Sequence, residues 1–198
     1  MYGGASTAGV PMAGGRAALR SEWLERRRAF VEGPLGTAAQ ASLGNHLKAL
    51  LSTLEPQCLG VYWAIRSEFN AARLLRDDSA AMQWPLALPF ARREARRMHY
   101  RAWDGAAPTL ADETGIPTSS GPEVLPDVLL VPCLGHTRDG YRLGYGAGYF
   151  DRFLAAHPQL TAVGIAWSVG ELDAASGFTP QPHDQPLTLI VTEDGLIG

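Results

Sequence analysis

The most informative segment of the chain, residues 126–155, reads PDVLLVPCLGHTRDGYRLGYGAGYFDRFLA. Residues 128–131, VLLV, form a short apolar run between two prolines, which predicts a strand buried on both faces. Residues 149–156 carry apolar side chains at helical spacing, and His157-Pro158 ends the pattern, so a helix is predicted there. A glycine-rich loop must connect this strand to this helix.

Glycines alternate near the end of that loop, at Gly144, Gly146 and Gly148. Glycine lets the backbone take positive φ and approach a ligand closely. The free N–H groups of such a loop and the positive end of the following helix dipole converge on one point, which favours an anion such as phosphate. The spacing matches neither the dinucleotide-binding fingerprint nor the P-loop, so neither of those sites is predicted.

Two charged residues flank the alternating glycines. Arg142 offers a planar cationic fork that suits phosphate oxygens. Asp151 falls in the first turn of the predicted helix, where a phosphate would repel it unless a cation lay between them, so it suggests bridging Mg²⁺. The spacing equally allows Asp151 only to complement the helix N-terminus.

The whole segment resembles the signature of one enzyme family. The run RLGYGAGYFD at 142–151, with DVLLVP at 127–132 before it and RFL directly after it, is similar to 5-formyltetrahydrofolate cyclo-ligase, also called methenyltetrahydrofolate synthetase. The resemblance is strong over 126–155, moderate at the C-terminus and thin over 70–125. It implies an ATP- and Mg²⁺-dependent ligase of one-carbon folate metabolism. Such an enzyme closes 5-formyltetrahydrofolate (folinate) to 5,10-methenyltetrahydrofolate and releases ADP and phosphate.

Bulk properties limit the class of protein. A chain of 198 residues suits one α/β domain, expected over 16–198, with residues 1–15 as a flexible leader of small uncharged residues. The net charge of -3 argues against a nucleic-acid binder that relies on a bulk basic field. Cys58 and Cys133 cannot form a closed zinc site by themselves. With no secretion signal and no apolar run of about 18 residues, a cytoplasmic protein that does not enter membranes is expected.

Alternating helical and strand patterns predict the architecture. We expect an α/β fold, a single three-layer domain with a mostly parallel open sheet, Rossmann-like, with the ligand at the carboxyl ends of the strands. The resemblance implies the coenzyme A transferase-like variety of this fold. The other predicted elements are helices at 16–31 and 37–54, strands at 58–65, 84–90, 98–103, 161–167 and 187–191, and a surface loop at 104–126.

Further residues become candidates through their position and the resemblance. Arg16 and Arg20 lie one turn apart and could clamp a polyphosphate, although a solvated basic face has the same pattern. The resemblance implies ATP contact for both, and a metal role for Asp184 together with Asp151. Glu68 follows a predicted strand, where it could meet a ligand, but its position alone favours a surface carboxylate or an early-helix residue. The resemblance implies that it holds the folate with Ile65, and a carboxylate does match the N–H donors of a pterin.

The implied site can be stated in full. The catalytic residues are Arg142, Tyr149 and Asp151, and the Mg²⁺ ligands are Asp151 and Asp184. The ATP site comprises Arg16, Arg20, Arg142, Leu143, Gly144, Tyr145, Gly146, Ala147, Gly148, Tyr149 and Phe150. The folate site comprises Ile65, Glu68, Tyr145, Gly146, Ala147, Gly148 and Tyr149. A monomer is expected, and its partner is a small molecule, a reduced folate with or without a polyglutamate tail.

Four positions depart from the family pattern: His136 replaces a usual Phe, Tyr145 and Ala147 replace the Arg and Lys of some members, and Thr188 replaces a common Asp. These departures leave open a non-catalytic relative that binds nucleotide or folate. A sugar-phosphate isomerase or transferase is a third possibility, because an anion cradle serves many chemistries. The sequence offers no convincing general-base constellation for that third function.

Overall fold

The computed structural model describes residues 15–77 and 84–198. The predicted leader therefore lies outside the described residues, except for Gly15, which begins the first helix. In these ranges the α-helices are α1 (Gly15–Glu32), α2 (Gly36–Leu54), α3 (Ala71–Asp77) and α4 (Tyr149–Ala156). None of the α-helices in the described ranges is both long enough and apolar enough to cross a membrane.

The strands follow in chain order. They are β1 (Leu59–Gly60), β2 (Leu86–Ala91), β3 (Met98–Trp103), β4 (Leu110–Ala111), β5 (Pro117–Thr118), β6 (Glu123–Val124), β7 (Val128–Pro132), β8 (Gly135–His136), β9 (Arg142–Leu143), β10 (Thr161–Ile165), β11 (Leu189–Thr192) and β12 (Gly195–Ile197). Eight of them form the main sheet in the order β12-β11-β10-β7-β1-β2-β3-β6. The other four form two small hairpin sheets, β4-β5 and β8-β9.

The centre of the main sheet is parallel. Strands β11, β10, β7, β1 and β2 pair in parallel, whereas β12, β3 and β6 add antiparallel edges. This arrangement confirms the predicted α/β fold with a mostly parallel sheet. Because β7 lies in the middle, its two faces are both covered, as its unbroken apolar run predicts.

Alternating side chains of β7 belong to two different cores. Val128 and Leu130 pack in a cluster that includes the buried faces of α2 and α3. Leu129 and Val131 pack on the opposite face, in a cluster with Phe153 of α4. This period of two follows from the pleat of a strand. Helices on both faces of one sheet make the three layers that the sequence predicts.

Two predicted elements differ from the structure. The strand expected over 58–65 pairs in the sheet ladder only at Leu59–Gly60, since the chain then bends into a turn in which Arg66 has a φ of 56°. The surface loop expected over 104–126 contains β4, β5 and β6. Strands of two residues are too short to leave a periodic signal in the sequence.

Candidate active site

A cavity of about 420 Å³ opens where the parallel strands end. Its wall includes Ala91, the last residue of β2, Pro132, the last residue of β7, and the turn that follows β1. Ligands of open α/β sheets bind at this edge, and the volume falls in the usual range for small-molecule sites. The cavity is therefore the candidate active site.

Nearly all of the predicted site residues line this one cavity. Those on its wall are Arg16, Arg20, Ile65, Glu68, Arg142, Gly144, Tyr145, Gly146, Ala147, Gly148, Tyr149, Phe150, Asp151 and Asp184. The exception is Leu143, which is 1% exposed and packs with Leu19, Trp23, Leu134 and Leu172. The Leu143 side chain thus anchors the loop in the core and does not reach the wall.

The glycine-rich loop needs glycine at two of its three alternating positions. Gly146 has a φ of 94° and Gly148 a φ of 68°, both in the region that L side chains rarely adopt. A Cβ atom on Gly146 would lie 2.9 Å from the guanidinium carbon of Arg20. Arg20 itself donates from Nε to the Gly144 carbonyl, 3.0 Å away. Arg20 and the loop are therefore packed against each other.

Two predicted phosphate-binding arginines pair with the two predicted metal ligands, and we call these four residues the arginine–aspartate cluster. The Arg16 and Asp184 side chains meet at 2.6 Å, and those of Arg142 and Asp151 at 2.9 Å. Burial raises the pKa of Asp184, but hydrogen bonds from Arg16 and from the Gln181 N–H, with the Arg16 charge, outweigh it and leave that pKa below its ordinary value. The cluster is thus electrically balanced within the protein.

The two carboxylates of this cluster line the same cavity, and their oxygen atoms are of the type that Mg²⁺ binds. Mg²⁺ prefers oxygen ligands and is commonly held by one or two carboxylates while substrate phosphates and water complete its shell. Residues 15–77 and 84–198 contain no group of three or more His, Cys, Asp or Glu side chains arranged to hold a metal. Asp151 and Asp184 therefore suit an ion that arrives with a phosphate better than one held by the protein alone.

Glu68 belongs to a second set of contacts, the glutamate network, which consists of Arg27, Ser67, Glu68 and Tyr145. Its Oε2 atom accepts the Ile65 N–H at 2.9 Å, whereas its buried Oε1 atom has no hydrogen bond of good geometry. Burial raises the pKa of Glu68, and the Ile65 N–H and the Arg27 charge oppose that rise. An unsatisfied buried acceptor is costly, and because Glu68 lines the cavity, a ligand that donates a hydrogen bond would suit it.

The departures from the family pattern separate into two groups. Tyr145 and Ala147 line the cavity, whereas His136 and Thr188 do not. His136 is fully buried, and the Thr188 hydroxyl accepts the Ala162 N–H at 3.1 Å between neighbouring strands. The absence of a carboxylate at position 188 therefore leaves the cavity wall unchanged.

Several residues of the cavity wall were not predicted from the sequence. Asp112, Thr114 and Ile116 come from the segment predicted to be a surface loop. The Asp112 carboxylate accepts the N–H groups of Thr114, Ile116 and Ala91 and so fixes this hairpin against β2. The Asp-x-Thr-Gly pattern is a turn signal, but it does not say that the turn lies at a cavity.

The sequence is similar to one protein family and to individual proteins. Residues 13–193 match the model of the 5-formyltetrahydrofolate cyclo-ligase family. The chain is 32% identical over 184 residues to a 5-formyltetrahydrofolate cyclo-ligase of Mycolicibacterium smegmatis, which covers 88% of this chain and 91% of that protein. It is 40% identical over 72 residues to the Mycoplasma pneumoniae 5-formyltetrahydrofolate cyclo-ligase, over 34% of this chain and 40% of that protein.

Solved structures share the fold. A 5,10-methenyltetrahydrofolate synthetase from Mycoplasma pneumoniae superposes with a TM-score of 0.70 at 22% identity, over 90% of this chain and 98% of that one. The NMR structure of the Aquifex aeolicus 5,10-methenyltetrahydrofolate synthetase gives a TM-score of 0.71 at 23% identity, over 91% of both chains. Together with the sequence match, which spans nearly the whole chain, these findings confirm the resemblance: the chain belongs to the 5-formyltetrahydrofolate cyclo-ligase family.

Proposed function

We propose that this chain is a ligase that cyclises 5-formyltetrahydrofolate to 5,10-methenyltetrahydrofolate, using ATP and Mg²⁺ and releasing ADP and phosphate. One observation carries the proposal beyond family membership. Three arginines, two aspartates, a glycine-rich loop and a glutamate from four distant parts of the chain line a single cavity. Such a wall offers cations for phosphates, carboxylates for a metal ion and an acceptor for the N–H groups of a pterin.

When the nucleotide binds, the arginines and aspartates of the cluster would exchange their partners. In the protein alone, Arg16 and Arg142 neutralise Asp184 and Asp151. A triphosphate offers the same guanidinium groups stronger, bidentate acceptors, and Mg²⁺ offers the released carboxylates a cation. The loop from Gly144 to Gly148 would supply backbone N–H groups, with the start of α4 behind them.

The chemistry needs no nucleophile from the protein. The formyl oxygen of the folate attacks the γ-phosphorus, ADP departs, and the activated formyl carbon is then attacked by the neighbouring folate nitrogen. Phosphate leaves with the former formyl oxygen, and the nitrogen loses its proton. Bound Mg²⁺ would neutralise charge on the transferring phosphoryl group. The protein positions both substrates and stabilises that charge through Arg142, with Tyr149 beside the reacting groups.

The folate would bind beside Glu68. Glu68 and Ile65 both line the cavity, and the buried Oε1 atom of Glu68 has no hydrogen-bond partner. The ring of Tyr145 also lines the cavity and could stack on a flat pterin. This arrangement leaves the reactive end of the folate free to face the glycine-rich loop.

The test is a spectrophotometric assay. Protein, ATP, Mg²⁺ and 5-formyltetrahydrofolate are mixed, and the absorbance band of the methenyl product is followed. We expect the band to grow only when all four components are present, with one ADP formed per methenyl product. Binding of ATP and folate without product would identify a non-catalytic relative, and turnover of a sugar phosphate without ATP would indicate the isomerase or transferase.

A further inference from the structure

Arg27 is a charged residue inside the core. It lies on the face of α1 that also buries Leu19 and Trp23, and it is only 2% exposed. A guanidinium group taken out of water destabilises the fold unless opposite charge and hydrogen-bond acceptors surround it. Both of the hydrogen bonds that it makes here go to neutral hydroxyls, to Ser67 Oγ at 3.2 Å and to Tyr145 Oη at 2.6 Å.

The Tyr145 hydroxyl can link the Arg27 charge to Glu68. A phenol carries one proton, and its oxygen already accepts the Arg27 N–H, so the proton remains free to be donated. This hydroxyl interacts with the Glu68 carboxylate, and Tyr145 and Arg27 both favour the charged form of Glu68 against the effect of its burial. Glu68 is therefore an acid on which the Arg27 charge acts, and the Tyr145 hydroxyl contacts both residues.

Other groups around Glu68 do not replace Arg27. The titratable and charged groups that act on Glu68 or respond to it are Arg27 of α1, Tyr145 of the glycine-rich loop, Tyr62 and Arg66 near Glu68 in sequence, and Cys133 after β7. Burial raises the pKa of Tyr62 well above its ordinary value and that of Cys133 to about 12, so both stay neutral. Arg66 is exposed, and solvent screens its charge, whereas the buried Arg27 is screened much less.

We propose that Arg27 is a positioning residue for folate recognition: it holds the Tyr145 hydroxyl and, through it, keeps the Glu68 carboxylate charged at the cavity wall. The inference rests on the proposed function in one respect, that Glu68 contacts the reduced folate. It also gives a role to the departure at position 145. The tyrosine ring forms cavity wall while its hydroxyl reaches the buried arginine.

The direct test needs no ligand. The titration of Glu68 is followed by NMR of the carboxyl carbon in the wild type, Arg27→Met and Tyr145→Phe, with Arg27→Lys as the variant that keeps the charge. Because Arg27 favours the charged carboxylate, its loss should move the Glu68 midpoint to higher pH. Tyr145→Phe should shift the midpoint in the same direction by less, and Arg27→Lys should stay closer to the wild type. Tyr145→Phe removes one oxygen atom and serves even if Arg27→Met fails to fold.

The second test measures binding. The Kd of 5-formyltetrahydrofolate should rise about 10-fold in Arg27→Met at neutral pH. As the pH is lowered, folate binding by this variant should begin to weaken at a higher pH than folate binding by the wild type. The Kd of Mg²⁺-ATP should stay within about twofold, a split that general damage to the fold would not produce.

Three outcomes decide the matter. An unchanged Glu68 midpoint in folded Arg27→Met and Tyr145→Phe overturns the inference. A shifted midpoint with unchanged folate affinity overturns the recognition role. A wild-type protein that binds no reduced folate overturns the proposed function and the recognition role together, while the Glu68 titration still shows whether Arg27 holds the carboxylate.

Discussion

The arginine–aspartate cluster and the glutamate network place charge at the same cavity in two different ways. In the cluster, each carboxylate meets an arginine directly, as in the 2.6 Å contact of Arg16 with Asp184. In the network, a hydroxyl separates the two charges, and Arg27 lies out of reach of the cavity. Direct pairs on a cavity wall can change partners when a ligand arrives. A buried charge cannot leave its site, so it can only orient and polarise what lies next to it.

This contrast indicates which ligand each group serves. Phosphates and a metal ion bring their own large charges and can replace both partners of an ion pair. A pterin is neutral and offers N–H donors, so it needs an acceptor that is already charged and oriented. Four substitutions test whether the two groups of charges differ in this way.

Asp151→Asn should have the largest effect, because the amide keeps the shape of the side chain but loses the charge that would hold Mg²⁺. We expect turnover to fall by about 100-fold or more, together with its dependence on Mg²⁺ concentration. The absorbance assay at limiting Mg²⁺ measures both. Asp139→Asn, the same change at an exposed position of the β8–β9 turn, is the matched control. An unchanged rate at limiting Mg²⁺ would rule out the metal role of Asp151.

Glu68→Gln should weaken the binding of the reduced folate by about 10-fold to 100-fold, because a charge-assisted hydrogen bond becomes a neutral one. The affinity for Mg²⁺-ATP should hardly change. Calorimetric titration with each ligand separates the two, and Glu123→Gln on the exposed edge strand β6 is the control. If both ligands lost affinity equally, the two groups of charges would not serve different ligands.

His136→Phe tests a third arrangement, a buried titratable group with no hydrogen-bond partner for either ring nitrogen. Burial lowers the pKa of His136 to about 4 in the folded protein. Above about pH 6.5, the ordinary pKa of histidine, His136 is neutral in both the folded and the unfolded protein. Below that pH only the unfolded protein takes up the proton, so the free energy of unfolding falls as the pH drops towards 4. At pH 5 the loss should be about 2 kcal/mol by this linkage.

The phenylalanine variant cannot take up a proton there, so it should lack that component of the acid destabilisation. Urea unfolding at pH 7 and pH 5 measures the difference for both proteins. Equal losses in the wild type and in His136→Phe would mean that the folded protein protonates His136 readily, and that burial does not control its pKa.

Gly146→Ala should have the smallest effect, about 1 kcal/mol in the free energy of unfolding, because an L side chain strains the backbone at a φ of 94° and meets Arg20. Gly144→Ala is the matched control, since a Cβ there meets nothing within 4 Å and the backbone is not in the positive-φ region. Urea unfolding of both variants gives the comparison. Equal stabilities would show that the loop relaxes easily and that Arg20 does not hold it.

Local patterns predicted the centre of this fold well. The helix expected at 149–156 is α4 to the residue, and the strand at 128–131 extends by only one residue. Both depend on signals in neighbouring residues, such as an apolar run, helical spacing and flanking prolines. The residues brought to the cavity were named through the family signature, which lies mainly in the same segment.

Long-range contacts explain what the sequence did not predict. Arg27 carries no sequence signal that marks it as buried, but the structure buries it, because the groups that compensate its charge come from residues 68 and 145. A helical pattern gives the spacing of residues and says nothing of charges elsewhere in the chain. Likewise, residues 112–116 join the cavity wall because the Asp112 carboxylate accepts a hydrogen bond from Ala91 of β2. These two residues lie about twenty positions apart in the sequence.

The outer strands of the main sheet affect how the protein behaves at high concentration. One border is β12, with three residues, and the other is β6, with two. Such brief outer strands present few free amides to another molecule, and this limits the growth of intermolecular sheets. The chain should therefore remain dispersed at high concentration, with light scattering that does not rise over time.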